Sequence, residues 1–265
     1  PDTIRALGDM AAALRSRLPV SVVAVTGSNG KTTTRKMCTE IAQAKKFILS
    51  TEGNLNNEIG LPLTLFNLRP FHQWAVLELG MNHPGEIRRL SEICRPDIAV
   101  ITNIGPAHIE GVGSMEGVMA AKGEVVEHLH PKGALVLNAD CEYSMALAKK
   151  LNRPVFLFGR APQAHVRATW VASTETGVSF VLESPAGATE IRLPAPGAFM
   201  VSNALAASAA GYLMGISLED IRRGLESFTP IAGRLRASQT GRGIHLVDDT
   251  YNANPASMAA SLEAL

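Results

Sequence analysis

Cysteine, net charge and long apolar runs are all scarce in this sequence. Three cysteines, Cys38, Cys94 and Cys141, occur in 265 residues. An odd count without metal-ligand spacing argues against a disulfide framework. It fits reduced thiols, packed as small apolar side chains, in a cytoplasmic protein. Lys and Arg number 25 against 24 Asp and Glu, so the formal net charge is +1. No global field then draws the chain to nucleic acid or to an acidic membrane. No apolar run approaches the roughly 20 residues that span a bilayer, so membrane insertion is not expected. Signal peptide, repeats and low-complexity tracts are missing too. What remains is 46% hydrophobic and 18% charged, a globular composition with enough length for one large core or two smaller ones. The chain begins without Met and stops inside "NPASMAASLEAL", a helical pattern just begun. A fragment of a longer protein is the expectation.

Apolar strand patterns alternate with helical ones. "VSVVAVTG" reads as a buried strand, followed by a helix from Lys31 to about Ala44. "FILST", "WAVLELG", "DIAVITNIG", "GALVLNAD" and "PVFLFG" continue the strand series. Between them, "NNEIGLPLTLFNL" has helical spacing despite Pro62, and "HPGEIRRLSEIC" is a helix with Pro84 near its first turn. "SMEGVMAAKGEVVEHL" is a helix with Ser114 as N-cap. Such alternation predicts an α/β fold with a mostly parallel sheet covered by helices. After Gly159 the pattern changes to short alternating runs, read as a small antiparallel portion. Helices return in "SNALAASAAGYLMG" and in "SLEDIRRGLESF", where Ser217 and Asp220 form a capping pair. "GRGIHLVDDTYNANP" is a new strand with a polar loop. A domain boundary is expected near Arg236 to Gly243, giving domains of residues 1–240 and 241–265.

The stretch "VTGSNGKTTTRKM", residues 25–37, carries the first chemistry. "GKT" at Gly30–Thr32 fits the end of the phosphate-loop pattern, whereas the leading Gly position holds Val25 and the nearest Gly is Gly27. The physics survives that departure. A strand ends, a loop of Gly27, Ser28, Asn29 and Gly30 offers N–H groups, and a helix begins with its positive end toward an anion. Lys31 would neutralise outer phosphates, and Thr32 or Thr33 would offer a hydroxyl to Mg²⁺. A base-reading Asn-Lys-x-Asp loop, expected of a GTPase switch, does not occur. Glu78 stands at the strand end where a metal-binding carboxylate is expected. It reads equally well as a polar residue closing a strand.

Several further motifs stand in one order: "LELGMNHPGEI", "TNIGPAHIEGVGSMEGVMAAKGE", "NALAA", "GRL" and "DDTYNANPASM". With "TGSNGKTTT" they resemble the Mur ligases, ATP-dependent amide-forming enzymes of peptidoglycan precursor synthesis. The resemblance runs over nearly the whole chain. "GNLNNEIGLPLTL" and "DDTYNANPASM" look most like the branch that adds D-alanyl-D-alanine to UDP-N-acetylmuramoyl-tripeptide. It implies a central P-loop ATPase domain followed by the start of a Rossmann-like domain, acting as a monomer on small molecules with ATP and Mg²⁺.

The resemblance also implies roles. Lys31 and Thr32 match the phosphate lysine and the Mg²⁺-binding threonine. Glu78 and His108 match ligands of a second Mg²⁺. By pattern alone His108 is a loop histidine, and Lys122 a surface helix lysine. The resemblance makes Lys122 a catalytic-site lysine that some members carry as a carbamate. Asn203 matches an asparagine near adenine, with Phe199 where the family often has His. Arg234 and Asp249 match groups reaching the nucleotide from the domain boundary. Thr51, Asn54, Asn56 and Asn57 imply substrate contacts, although Asn and Gly also make plain turns. Tyr251, Asn252 and Asn254 lie in a loop lining the nucleotide or dipeptide site, and Asn82 and His83 extend a strand end into the same cleft. Open alternatives are another amino-acid-adding Mur ligase, a folylpolyglutamate-type ligase, or a non-catalytic nucleotide-dependent binding protein.

Overall fold

The computed structural model describes residues 2–107, 109–174, 177–234, 236–239, 241 and 243–263. Helix α1 (Thr3–Ser16) starts at Asp2, whose carboxylate accepts the Arg5 N–H at 3.0 Å. The chain then alternates as β1 (Ser21–Thr26), α2 (Lys31–Gln43), β2 (Ile48–Ser50), α3 (Gly60–Leu65), β3 (Trp74–Glu78), α4 (Glu86–Cys94) and β4 (Ile98–Ile101). Two short helices, α5 (Ile109–Val112) and α6 (Met115–Gly123), lead into a 3-10 turn (Glu124–Val126) and β5 (Ala134–Asn138). Next come α7 (Glu142–Lys150), β6 (Val155–Gly159), β7 (Val166–Thr174), β8 (Gly177–Ser184) and β9 (Gly187–Leu193). The series ends with α8 (Phe199–Leu213), α9 (Leu218–Glu226), β10 (Arg236–Gln239), β11 (His245–Asp248) and α10 (Pro255–Glu263).

The first nine strands form one sheet in the order β2-β3-β1-β4-β5-β6-β7-β8-β9. Pairing is parallel from β2 through β7 and antiparallel from β7 to β9. The expected antiparallel portion therefore extends the parallel sheet rather than standing apart from it. Successive side chains of a strand point to opposite faces, and each face has its own core. Val23 and Val25 join Met37 and Ile41 of α2, Ala204 and Leu205 of α8, and Ile221 of α9. Val22 and Ala24 join Ala11 of α1, Leu61 of α3, Leu90 of α4 and Val118 of α6. A continuous apolar run such as "VVAV" is what a strand covered on both faces requires.

Some element ends differ from expectation. α3 starts only at Gly60, with the Asn57 carboxamide accepting the Gly60 N–H at 2.8 Å. Pro62 then falls in its first turn, where the missing N–H costs little. α4 starts after Pro84, at Glu86. β10 was not expected, and it pairs with β11 in a hairpin.

The connection from β1 runs out to β2, returns through β3, and then crosses to β4 on the other side of β1. The order reverses at β1. In an open α/β sheet the crevice outside the C-terminal strand ends at such a point is where ligands bind.

Candidate active site

A cleft of about 1010 Å³ opens at this place. Its floor is the turn between β1 and α2. Gly27 has φ +143 and Gly30, the N-cap of α2, has φ +79. A Cβ on Gly27 would lie 1.9 Å from Thr102 Oγ1, and one on Gly30 2.1 Å from Asn203 Oδ1. Neither conformation nor space admits a side chain at these two positions. Asn103, just past β4, holds the loop in shape. Its carbonyl accepts the Ser28 N–H at 3.0 Å and its Oδ1 accepts the Asn29 N–H at 3.0 Å. Ser28 Oγ bridges to Gly105, donating to its carbonyl at 2.8 Å and accepting its N–H at 2.9 Å. The N–H groups of Ser28 and Asn29 are thus engaged. Those in the first turn of α2, free of intrahelical partners by helix geometry, are the ones left for an anion.

Lys31 Nζ donates to the carbonyls of Gly27 at 2.9 Å and Ser28 at 3.2 Å. Burial lowers its pKa, Glu78 opposes this, and Arg234 adds to it. One helical turn on, Arg35 lies 3.7 Å from Glu78, with Nε facing Oε2. Glu78 closes β3 at 2% exposure. Its Oε1 accepts from Asn56 Nδ2 at 2.9 Å, and its N–H donates to Thr51 Oγ1 at 3.0 Å. Its Oε2 is buried with no hydrogen-bond partner among the described residues. An orphaned carboxylate oxygen beside the cleft, with the hydroxyl residue Thr32 lining the same space, is a hard oxygen donor set that fits Mg²⁺. Among the described residues no group of three or more His, Cys, Asp or Glu forms a metal cage. Mg²⁺ needs none, because it binds through one or two carboxylates together with phosphates and water.

Lys122 corrects its surface reading. It is 1% exposed, and among the described residues its ammonium group has no hydrogen-bond or carboxylate partner. Burial, and then the charge of Lys31, lower its pKa to about 7. It does not line the cleft itself. His108 lies outside the described residues.

The far walls come from α8 and the C-terminal segment. Asn203 is buried against the loop, its Oδ1 accepting from Thr34 Oγ1 at 3.4 Å. Arg234 stacks on the Tyr251 ring at 4.2 Å to the centroid. The Tyr251 N–H donates to the Gly233 carbonyl at 3.1 Å, and the Gly233 N–H to Asp248 at 3.0 Å. Asp249 accepts from Ser261 Oγ on α10. Asn254 Nδ2 reaches across and donates to Asn29 Oδ1 at 2.7 Å.

Ser28, Asn29, Gly30, Lys31, Thr32, Thr33, Glu78 and Asn203 therefore meet Arg234, Asp249, Tyr251, Asn252 and Asn254 around one cleft. Asn54, Asn56, Asn57 and Asn82 line it as well. Thr51, expected to meet substrate, does not line the cleft. It is 1% exposed, and its hydroxyl serves the Glu78 backbone. Gly27 shapes the turn without lining the cleft, and His83 is not on its wall either. Arg35 and Asn103 were not singled out from sequence. Arg35 could have been, since it stands four residues after Lys31 and so shares its helix face.

The Mur ligase middle domain model matches residues 25–211. The UDP-N-acetylmuramoyl-tripeptide–D-alanyl-D-alanine ligase of Escherichia coli (strain K12) is 40% identical over 266 residues, covering 100% of this chain and 59% of that protein. The Bacillus subtilis (strain 168) protein of the same name is 37% identical over 262 residues, covering 99% of this chain and 56% of its own. The crystal structure of MurF from Acinetobacter baumannii superposes with TM-score 0.95 at 39% identity, covering 100% of this chain and 58% of that one. MurF ligase from Thermotoga maritima in complex with ADP gives TM-score 0.88 at 28% identity, over 100% of this chain and 61% of its own. The chain thus spans a little over half the length of these relatives. By its phosphate loop, its sheet order and the match to the middle-domain model, this chain belongs to the Mur ligase family.

Proposed function

We propose that this chain holds ATP for a ligase that joins D-alanyl-D-alanine to UDP-N-acetylmuramoyl-tripeptide. The reading rests on one observation above all: the phosphate loop, Glu78 and the Arg234–Tyr251 segment converge on one cleft. Similarity along the whole of this chain to ligases of that name supports the choice of substrates. We also propose that residues 1–240 form the nucleotide-binding domain and that 241–265 begin a second one. The hairpin of β10 and β11 lies at their junction.

A carboxylate and an amine do not condense usefully in water. Transfer of the ATP γ-phosphoryl group to the peptide carboxylate gives an acyl phosphate and ADP. The dipeptide amine then attacks the acyl carbon, forming the C–N bond as inorganic phosphate departs and the amine loses its proton. The protein's part is placement and charge compensation. The first-turn N–H groups of α2 hold the phosphates, and Lys31 sets its charge against the outer ones. Arg234, stacked on Tyr251, adds a cation from the opposite wall. Thr32 would hold one Mg²⁺ and Glu78 with His108 a second, with Lys122 acting at the same site. When bound, the ions offset the charge of phosphates and approaching carboxylate. Asn54 and Asn57, which also line the cleft, would meet the muramoyl-peptide.

Phosphate release by the full-length protein tests the reading, using Mg-ATP and UDP-N-acetylmuramoyl-tripeptide with and without D-alanyl-D-alanine. Release that depends on the dipeptide is expected. Release that ignores the dipeptide but answers to a single amino acid would refute the assignment of the amine, and no release with any amine would refute the ligase.

A further inference from the structure

Arg35 is a half-buried cation to which the chemistry above gives no task. Its side chain is 11% exposed, and that of its neighbour Glu78 is 3% exposed. Arg35 Nε and Glu78 Oε2 are both buried without a hydrogen-bond partner among the described residues, and they face each other at 3.7 Å. That separation is too long for a hydrogen bond, yet short enough for strong attraction in a poorly solvated place. A buried ion pair serving stability alone needs close, hydrogen-bonded geometry to offset desolvation. Here each partner is anchored elsewhere. Asn56 holds Glu78 Oε1 at 2.9 Å, and Arg35 Nη1 donates to Ser50 Oγ at 2.9 Å. Thr39 Oγ1 donates to the same Ser50 hydroxyl at 3.0 Å. The carboxylate can therefore exchange its cation without moving.

Resting on the reading of Glu78 as a metal ligand, we propose that Arg35 is its resident counter-cation, a positioning residue that makes entry of a divalent ion conditional on nucleotide. While the cleft holds no phosphate, Arg35 and Lys31 oppose a dication at Glu78. Arrival of the nucleotide's negative charge reverses that balance. Glu78 then stays fixed and protected from adventitious metal until its partner is present.

Binding of Mn²⁺, a paramagnetic stand-in for Mg²⁺, to the full-length protein tests this by electron paramagnetic resonance. Without nucleotide, Arg35→Gln should bind Mn²⁺ on the order of tenfold more tightly than wild type, the scale expected for removing one screened charge at this distance. Arg35→Lys should bind as weakly as wild type. With a non-hydrolysable ATP analogue the difference should shrink. If Arg35→Gln does not fold, Arg35→Met keeps the aliphatic stem and carries the same expectation. Equal or weaker Mn²⁺ binding by the folded neutral variant would overturn the proposal while leaving the metal site standing. If Glu78→Gln with the analogue bound retains wild-type Mn²⁺ affinity, the metal reading of Glu78 falls, and this proposal with it.

Discussion

A lysine buried away from any carboxylate favours its neutral form, and Lys122 is buried that way among the described residues. Its pKa falls from 10.5 to about 7 on folding. Between those values the unfolded chain holds the proton and the folded chain does not. Stability from this group therefore rises with pH across that window. Below about 7 both states are protonated, and the full penalty of burying charge applies. Lys122→Met removes the penalty, so the variant should melt above wild type at pH 7, with the gap closing toward pH 10. A gap independent of pH would show that the lysine keeps an ordinary pKa. Residues 27–33 were legible in the sequence because loop, lysine and helix start are contiguous. The burial of Lys122 was not, because it depends on how α6 sits against the sheet. The burial of Thr51 was hidden for a related reason: a hydroxyl near a strand end serves the cleft or the neighbouring strand according to the pairing of β2 with β3.

At the scale of the element, α4 shows how a helix can be capped from afar. Glu124 Oε1 and Oε2 accept the Gly85 N–H at 2.8 and 3.0 Å, and Oε2 accepts the Arg88 N–H at 3.1 Å. A carboxylate there also meets the positive end of the helix dipole. Glu124→Ala should cost about 1–2 kcal/mol, as loss of a helix cap does, read as a lower urea midpoint with unchanged slope. No loss would mean that water replaces the carboxylate. Ser114 and Ser217 cap α6 and α9 by accepting N–H groups three residues on, and such local caps were read correctly from sequence. The cap of α4 comes from the far side of β4, out of reach of local pattern. "HPGEI" therefore suggested a helix around Pro84, whereas α4 starts at Glu86. β10 escaped notice because "RASQ" has no apolar alternation and is a strand through its pairing with β11.

Across the whole molecule, alternating strand and helix patterns were enough to read an α/β fold with parallel pairing. They did not encode the strand order that places the cleft at β1, nor the joining of β6 to β7 that makes a single sheet. The clearest long-range link is Asn254 to Asn29, between residues 225 apart in sequence. It ties the C-terminal segment to the phosphate loop. Asn254→Ala in the full-length protein should weaken ATP affinity by about 0.5–1.5 kcal/mol, the net value of one hydrogen bond, with little change in melting temperature. Calorimetric titration would show it, and an unchanged affinity would make the link incidental. The grip of Asn103 on Ser28 and Asn29 has a further, kinetic consequence. A loop already fixed has little conformational entropy left to lose when phosphate docks. Association is then governed by collision and orientation. Capture of the nucleotide should follow a single exponential, and any slow phase belongs to motion of the walls rather than of the floor.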